Sequence, residues 1–292
     1  MKNKNRERIW VHIIMVLLCV VMMVPFLTVL STSLSTNEDI AKYGYSIIPR
    51  HLTFSAYKFV LSSNDTLVNS YLVTIFVTFA GTLLSVFLMC LLAYPLSKKY
   101  FSGRKFFNFY VYFTMLFSGG LVPEYILITQ YLHLKDTVWV YILPTAISVW
   151  HMFVLRTFFT QLPNEMFEAA KTDGANEFDL LFRFAIPLSK PAIASVTLMI
   201  CLMKWNEWMA AMLYIDNEKL ITLQYLLQRI IKNMNLINQN MDISQMASSS
   251  AEIPTESARM AMAIIVAGPM LVIFPFFQKY FTKGLTVGSV KG

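Results

Sequence analysis

The chain has 292 residues, of which 56% are hydrophobic and only 14% charged. Its apolar residues gather in runs far longer than a water-soluble core needs, which excludes a soluble domain and points to an all-α polytopic membrane protein. The formal net charge of +7 does not argue for a nucleic-acid partner: the cations stand at the ends of apolar runs, where anionic headgroups and the cytoplasmic bias of Lys and Arg account for them.

Lys2, Lys4, Arg6 and Arg8 precede an apolar run over residues 9–34. The run is too long for a cleavable signal peptide and lacks a small-x-small cleavage site, so it reads as a retained first span with its N-terminus inside. Residues 37–68 are polar and mixed and belong outside. A second span covers 69–96, and the connection through Lys98, Lys99, Arg104 and Lys105, without an acid, is cytoplasmic. The third span, 106–128, holds Gly119-Gly120 and Pro123-Glu124, so its outer end is expected to be unwound or kinked. Glu124 is a candidate for a substrate route, with simple contact with water as the alternative. His133, Lys135 and Asp136 mark an external turn, and the fourth span, 138–159, should kink at Pro144.

Residues 163–191 form the longest polar interruption on the cytoplasmic side. Asn164 is placed to cap a short helix, Glu165 suits its positive end, and Ala169 and Ala170 are strong helix formers. Asp173-Gly174 then reads as a stop and turn, because glycine takes the left-handed conformation past a helix C-terminus most readily. Asn176 with Asp179 resembles a capping box for a second helix carrying Phe178, Leu181 and Phe182, and Pro187 and Pro191 break the chain again. The pattern is helix, glycine turn, helix, proline break: a knuckle beside the membrane.

The fifth span, 192–214, includes Lys204-Trp205-Asn206-Glu207-Trp208. Lys204 and Glu207 are spaced to pair on one helix face, which would leave a self-satisfied ion pair. The alternative is a polar route, in which Asn206 and Glu207 can hydrogen-bond hydroxyls and Trp205 can stack on a ring. Residues 216–257 are external, with helical periodicity at Leu223, Leu226, Leu227, Ile230 and Ile231 before a polar stretch. The sixth span, 258–277, carries Arg259 as a snorkelling anchor at its outer end. Residues 278–292 return inside, so both termini are cytoplasmic. Glycines at 284, 288 and 292, without apolar periodicity, would ordinarily leave a disordered end; the alternative is a thin backbone able to enter a narrow cleft.

There is no Gly-x-x-x-x-Gly-Lys-Ser/Thr phosphate loop, so the chain is not expected to hydrolyse ATP or to be an enzyme. His12, His51, His133 and His151 lack ligand spacing, which argues against a metal, and Cys19, Cys90 and Cys201 each fall inside an apolar run. Transport is the remaining class. A secondary transporter or channel would need an ion-coupling feature in repeated halves, which is not evident; a membrane scaffold would need no polar route.

Glu168-Ala169-Ala170, Asp173-Gly174-Ala175 and Ile186-Pro187-Leu188 resemble the EAA loop of permease subunits in binding-protein-dependent ABC importers. The family's Ile-x-Leu-Pro ending stands here as Phe184-Ala185-Ile186-Pro187, a change of apolar type only. The resemblance covers most of the chain, including Trp205-Asn206-Glu207 and Lys283-Gly284-Leu285-Thr286 with Val290-Lys291-Gly292. It is closest to the sugar-importing branch, similar to the smaller maltose permease subunit and to permeases for oligosaccharides released from complex polysaccharides. It implies a type I ABC importer permease fold with six transmembrane helices in a prokaryotic cytoplasmic membrane. It implies a coupling loop made by Glu168, Ala169, Ala170, Asp173, Gly174, Ala175 and Phe178, and a sugar route near Glu124, Lys204, Trp205, Asn206 and Glu207. Lys283, Gly284, Leu285, Thr286, Val290 and Lys291 would enter between the ATPases. The implied partners are a second homologous permease, two ABC ATPase subunits holding ATP and magnesium, an extracytoplasmic sugar-binding protein, an oligosaccharide and membrane lipid. No cofactor is expected on this chain itself.

Overall fold

Long apolar runs have one good solution inside a bilayer, the α-helix, because it satisfies every backbone N–H and C=O within the segment. A computed structural model of the chain describes residues 2–62, 64–240 and 256–287, and among these residues every regular element is helical. In order they begin with α1 (Lys2–Ser33), α2 (Asn37–Tyr43), α3 (Ser55–Ser62) and α4 (Asn64–Ser97). There follow α5 (Arg104–Leu116), α6 (Leu121–Ile126) with a π-helical turn Leu127–Tyr131, a 3-10 turn Val138–Tyr141 and α7 (Val149–Thr160). The loop region holds α8 (Asn164–Thr172), then α9 (Glu177–Asp179), a π-helical stretch Leu180–Ala185 and α10 (Ile186–Leu188). After it come α11 (Lys190–Trp205), α12 (Met209–Tyr214), a 3-10 turn Glu218–Leu220, α13 (Leu223–Asn240) and a last helix Glu256–Val287.

Among the described residues, three helices are long and apolar enough to cross a membrane: Trp10–Ser33, Asp65–Ser97 and Glu256–Phe276. They match the expected first, second and sixth spans. The expected third span is interrupted where Ser118-Gly119-Gly120 leaves the helix, with Gly120 at φ +86°, and its halves Arg104–Leu116 and Leu121–Tyr131 meet at 107°. The break is far sharper than a kink. The expected fourth span is not one helix: around Pro144, which lacks the N–H a helix interior needs, only α7 continues, and its 12 residues reach about 18 Å of the roughly 30 Å of hydrocarbon. The fifth is split at residues 206–208 into α11 and α12, while Glu177–Leu188 meets Lys190–Trp205 at 82°.

The last helix continues past the apolar segment as far as Val287, so Lys283, Gly284, Leu285 and Thr286 lie in helix rather than in the disordered or thin end expected. One interior glycine costs only about 1 kcal/mol, too little to stop a cooperative helix of this length. Val290 and Lys291 lie outside the described residues.

The chain divides into two compact units, residues 1–67 with 226–269 and residues 68–225 with 270–292. In the first, part of the expected external loop is ordered by local capping. Thr36 Oγ1 accepts from Asp39 N–H at 3.2 Å and donates to Asp39 Oδ2 at 2.9 Å, and Gly44 at φ +74° ends α2. His51 Nδ1 lies 3.0 Å from Asp39, and with Thr36 it holds that carboxyl below its ordinary pKa. Ser257 donates to Asn37 Oδ1 at 2.9 Å and Tyr45 to Glu256 at 3.1 Å. Arg259, expected as a snorkelling anchor, pairs with Glu256 one turn away.

In the second unit, the external turn foreseen at residues 133–136 is a clamp. Asp136, at φ +57°, accepts from the Asp216 and Asn217 N–H groups at 2.8 Å each, and Lys135 pairs with Asp216 at 2.9 Å. At the C-terminal end of α4, the Leu96 carbonyl accepts from Arg104 Nε at 3.1 Å and Arg156 Nε at 3.0 Å, tying α5 and α7 to the negative end of that helix. Asp136→Ala should leave both amides of the 216–217 turn to water and remove roughly 1 kcal/mol. A lower thermal unfolding midpoint in detergent checks this; an unchanged midpoint contradicts it.

Candidate functional site

The knuckle forms for local reasons. The Ala175 N–H donates to the Ala170 carbonyl at 2.9 Å and the Gly174 N–H to the Lys171 carbonyl at 3.0 Å, a Schellman termination of α8 with Gly174 at φ +88°. Immediately afterwards Asn176 Oδ1 accepts from the Phe178 and Asp179 amides at 2.9 Å each, and Asp179 returns a bond to the Asn176 N–H, completing the expected capping box. Asn164 does not cap α8: the helix begins at Asn164 itself, behind Pro163, and no side chain caps it. The missing cap is offset by packing. Phe167 and Ala170 enter a core made with Met89, Tyr94, Leu155, Phe159, Leu180 and Leu181.

The other face of the knuckle is open. Glu168, Ala169, Asp173 and Gly174 are exposed, Ala175 is half-buried, Met166 is 41% exposed and Phe178 68% exposed. Beside α8 lies an open hollow of about 510 Å³ lined by Met166, Ala169, Asp173, Gly174 and Arg183 among others. Large apolar side chains and a hollow on an otherwise polar loop are the features of a docking surface.

Lys98 and Glu177, neither singled out by sequence patterning, flank the inner face. Lys98 is only 5% exposed, and its Nζ stands 3.2 Å from the centroid of the Phe167 ring. Burial pushes its pKa down to about 8, opposed by the Glu177 charge and reinforced by that of Lys171. Glu177 accepts from Tyr100 at 2.8 Å and Tyr94 at 3.2 Å, and pairs with Lys171 at 2.7 Å.

The residues expected on a sugar route separate into two kinds. Lys204 is 5% exposed and Trp205 4% exposed, so neither offers a free face within this chain. Lys204 donates to the Tyr141 carbonyl at 2.7 Å and to Thr145 Oγ1, not to Glu207, because α11 ends at Trp205 and takes Glu207 out of helical register. Asn206 is exposed and accepts from Gln224 Nε2 at 2.8 Å; Glu207 is half-buried and accepts from the Ala210 N–H at 2.9 Å. Glu124 is exposed in the first turn of α6 and shares no hydrogen bond with this group. Sequence reasoning missed a polar stripe on α4, where Ser70, Thr74, Thr78, Thr82 and Ser85 are all buried at helical spacing. Gly81 lies on that helix, and a Cβ there would sit 3.2 Å from Lys204 Cε. Gly81→Val should therefore displace the Lys204 stem and lower thermal stability more than Gly81→Ala; equal stability of the two variants would contradict the contact.

No family model matches the chain. It is 36% identical over 294 residues to the polygalacturonan/rhamnogalacturonan transport system permease protein YtcP of Bacillus subtilis, covering 100% of both chains. It is 39% identical over 268 residues to protein LplC of the same organism, covering 92% of this chain and 89% of that one. Among solved structures, a bacterial ABC transporter involved in the import of the acidic polysaccharide alginate matches with a TM-score of 0.82 at 28% identity, over 96% of this chain and 98% of that one. With an all-helical fold that follows an ABC importer along nearly its whole length, and a full-length permease relative above 30% identity, the chain belongs to the permease subunits of ABC sugar importers, integral proteins of a bacterial membrane.

Proposed function

We propose that α8 and its glycine turn are the coupling element through which separate ATPase subunits drive this permease. The observation that carries the reading is the two-sided knuckle: Phe167 and Ala170 buried in the helix core, Met166 and Phe178 exposed beside an open hollow. An element gripped on one side and sticky on the other can pass a partner's displacement into the spans. ATP and magnesium would be held by the ATPases, two of them, and the machine would be completed by a second homologous permease and an extracytoplasmic sugar-binding protein. Closure of the ATPases would open the cavity outward and hydrolysis would return it inward. Both termini would lie in the cytoplasm, as the distribution of Lys and Arg favours.

Within this proposal the cargo is an oligosaccharide released from a complex polysaccharide, of the kind named for the YtcP relative. Asn206 and Glu207, which keep exposed or half-buried polar atoms, would meet its hydroxyls, with Glu124 nearer the outer mouth. Trp205 and Lys204 would shape the route from behind.

The test is Gly174→Val. A β-branched residue at φ +88° is strained by about 1–3 kcal/mol and should misplace the turn. Purified by a tag on this chain and reconstituted, the variant is expected to lose its ATPase partner or to hydrolyse ATP without moving pectic oligogalacturonides. Normal transport by the variant would overturn the assignment.

A further inference from the structure

We propose that Lys98 and Glu177 are positioning residues that clamp both ends of the inner face of α8 to the C-terminal end of α4, so that displacement of α8 is delivered directly to the second span. The proposal rests on the reading of α8 as the ATPase-docking helix.

The chain itself joins α8 only to α7 on one side and α9 on the other; α4 is remote in sequence. Besides the packing of Phe167 and Ala170 against Met89 and Tyr94, two polar contacts bridge that gap. Near the start of α8, the Lys98 ammonium, one residue beyond α4, lies 3.2 Å from the Phe167 ring centroid and 5.1 Å from that of Tyr94. Near its end, Lys171 Nζ pairs with Glu177 Oε1 at 2.7 Å and stands 3.7 Å from the Tyr100 ring centroid. The second oxygen of Glu177, Oε2, takes the hydroxyls of Tyr100 and Tyr94 at 2.8 and 3.2 Å. One carboxylate thus holds α8 with one oxygen and the end of α4 with the other.

Phe167 and Lys171 are four residues apart and share one helix face, so the two contacts stand one turn apart. A single contact would be a pivot about which a nine-residue helix could rock. Two contacts fix its direction and its rotation, as a push rod requires. Packing alone does not explain the chemistry, because a methionine in place of Lys98 would fill a similar volume without the desolvation cost of an ammonium. A cation over a ring face is directional and strengthens as water is excluded.

The groups facing Lys98 are Glu177, which favours its charge, Lys171, which opposes it, and the Tyr94 and Phe167 rings. Because its pKa is lowered to about 8, the cation is present below that pH and is lost as pH rises through it. The contact with Phe167 should weaken in the same window. Arginine in its place would stay charged.

The whole transporter, purified by a tag on this chain and reconstituted with its sugar-binding protein, gives the test as pectic oligogalacturonide moved per ATP hydrolysed. The wild type is expected to lose about threefold or more in this ratio between about pH 7 and about pH 9, while Lys98→Arg stays level. Lys98→Met and Glu177→Gln should be poorly coupled throughout, with the ATPase still bound. Wild-type ratios in Lys98→Met and Glu177→Gln, or one pH profile shared by the wild type and Lys98→Arg, would overturn the clamp. Should Lys98→Met not assemble, the comparison with Lys98→Arg decides alone. Gly174→Val in the same assay separates the two ideas. If it uncouples while Lys98→Met does not, the clamp fails and the docking reading stands; if it transports normally, the docking reading itself fails.

Discussion

The structure of the knuckle at residues 163–191 depends on the burial of one aromatic side chain, Phe167. A helix of nine residues is not stable by itself in water, since nucleation costs more than so few hydrogen bonds return. The order of α8 must therefore come from tertiary packing. Burying a phenylalanine contributes roughly 1.5–3 kcal/mol, and Phe167 is 4% exposed among residues drawn from α4, α7 and the π-helical stretch after α9. Once that side chain is seated, the Schellman turn at Gly174 and the capping box at Asn176 set where the chain goes next. The exposed residues of the knuckle are then presented at a fixed place and angle.

The rest of the permease is less regular than its hydropathy suggests, and the irregularity has a use. Two bent helix pairs and a split at residues 206–208 free backbone groups that continuous spans would consume. Such breaks are tolerated at membrane depth only where protein or a water-lined route satisfies them. Here the satisfaction is visible: the Thr222 hydroxyl donates to the Glu207 carbonyl at 2.7 Å, the Leu223 N–H donates to Thr74 Oγ1 at 2.8 Å, and Lys204 serves the Tyr141 carbonyl. On the polar stripe of α4, Thr74 is the residue that supplies such a partner.

What was legible in the sequence was local. Gly174 at a positive φ, the pairing of Asn176 with Asp179, and the long apolar runs of the first, second and sixth spans each follow from a few neighbouring residues. What was not legible depended on remote partners. Lys204 and Glu207 have the spacing of an ion pair, but the end of α11 between them is set by packing, and Tyr141 takes the ammonium instead. Gly119-Gly120 announced a weakness in the third span without giving its 107° bend, since glycine permits many angles and selects none. The buried charge of Lys98 looked like one more cytoplasmic cation, because nothing near it in sequence says that Phe167 will lie above it. The last helix shows the reverse: glycines at 284, 288 and 292 suggested a disordered or thin end, yet helix persists to Val287.

The central claim is that the exposed side of the knuckle is the seat of the ATPase. It is tested most directly by placing a photoreactive benzophenone amino acid at Phe178, and separately at Asp216 in the turn after α12, in the assembled transporter. The account predicts that illumination joins the Phe178 position to the ATPase subunit and that the Asp216 position forms no such adduct. Recovery of the assembled transporter with no ATPase adduct from Phe178, or with an ATPase adduct from Asp216, would contradict it.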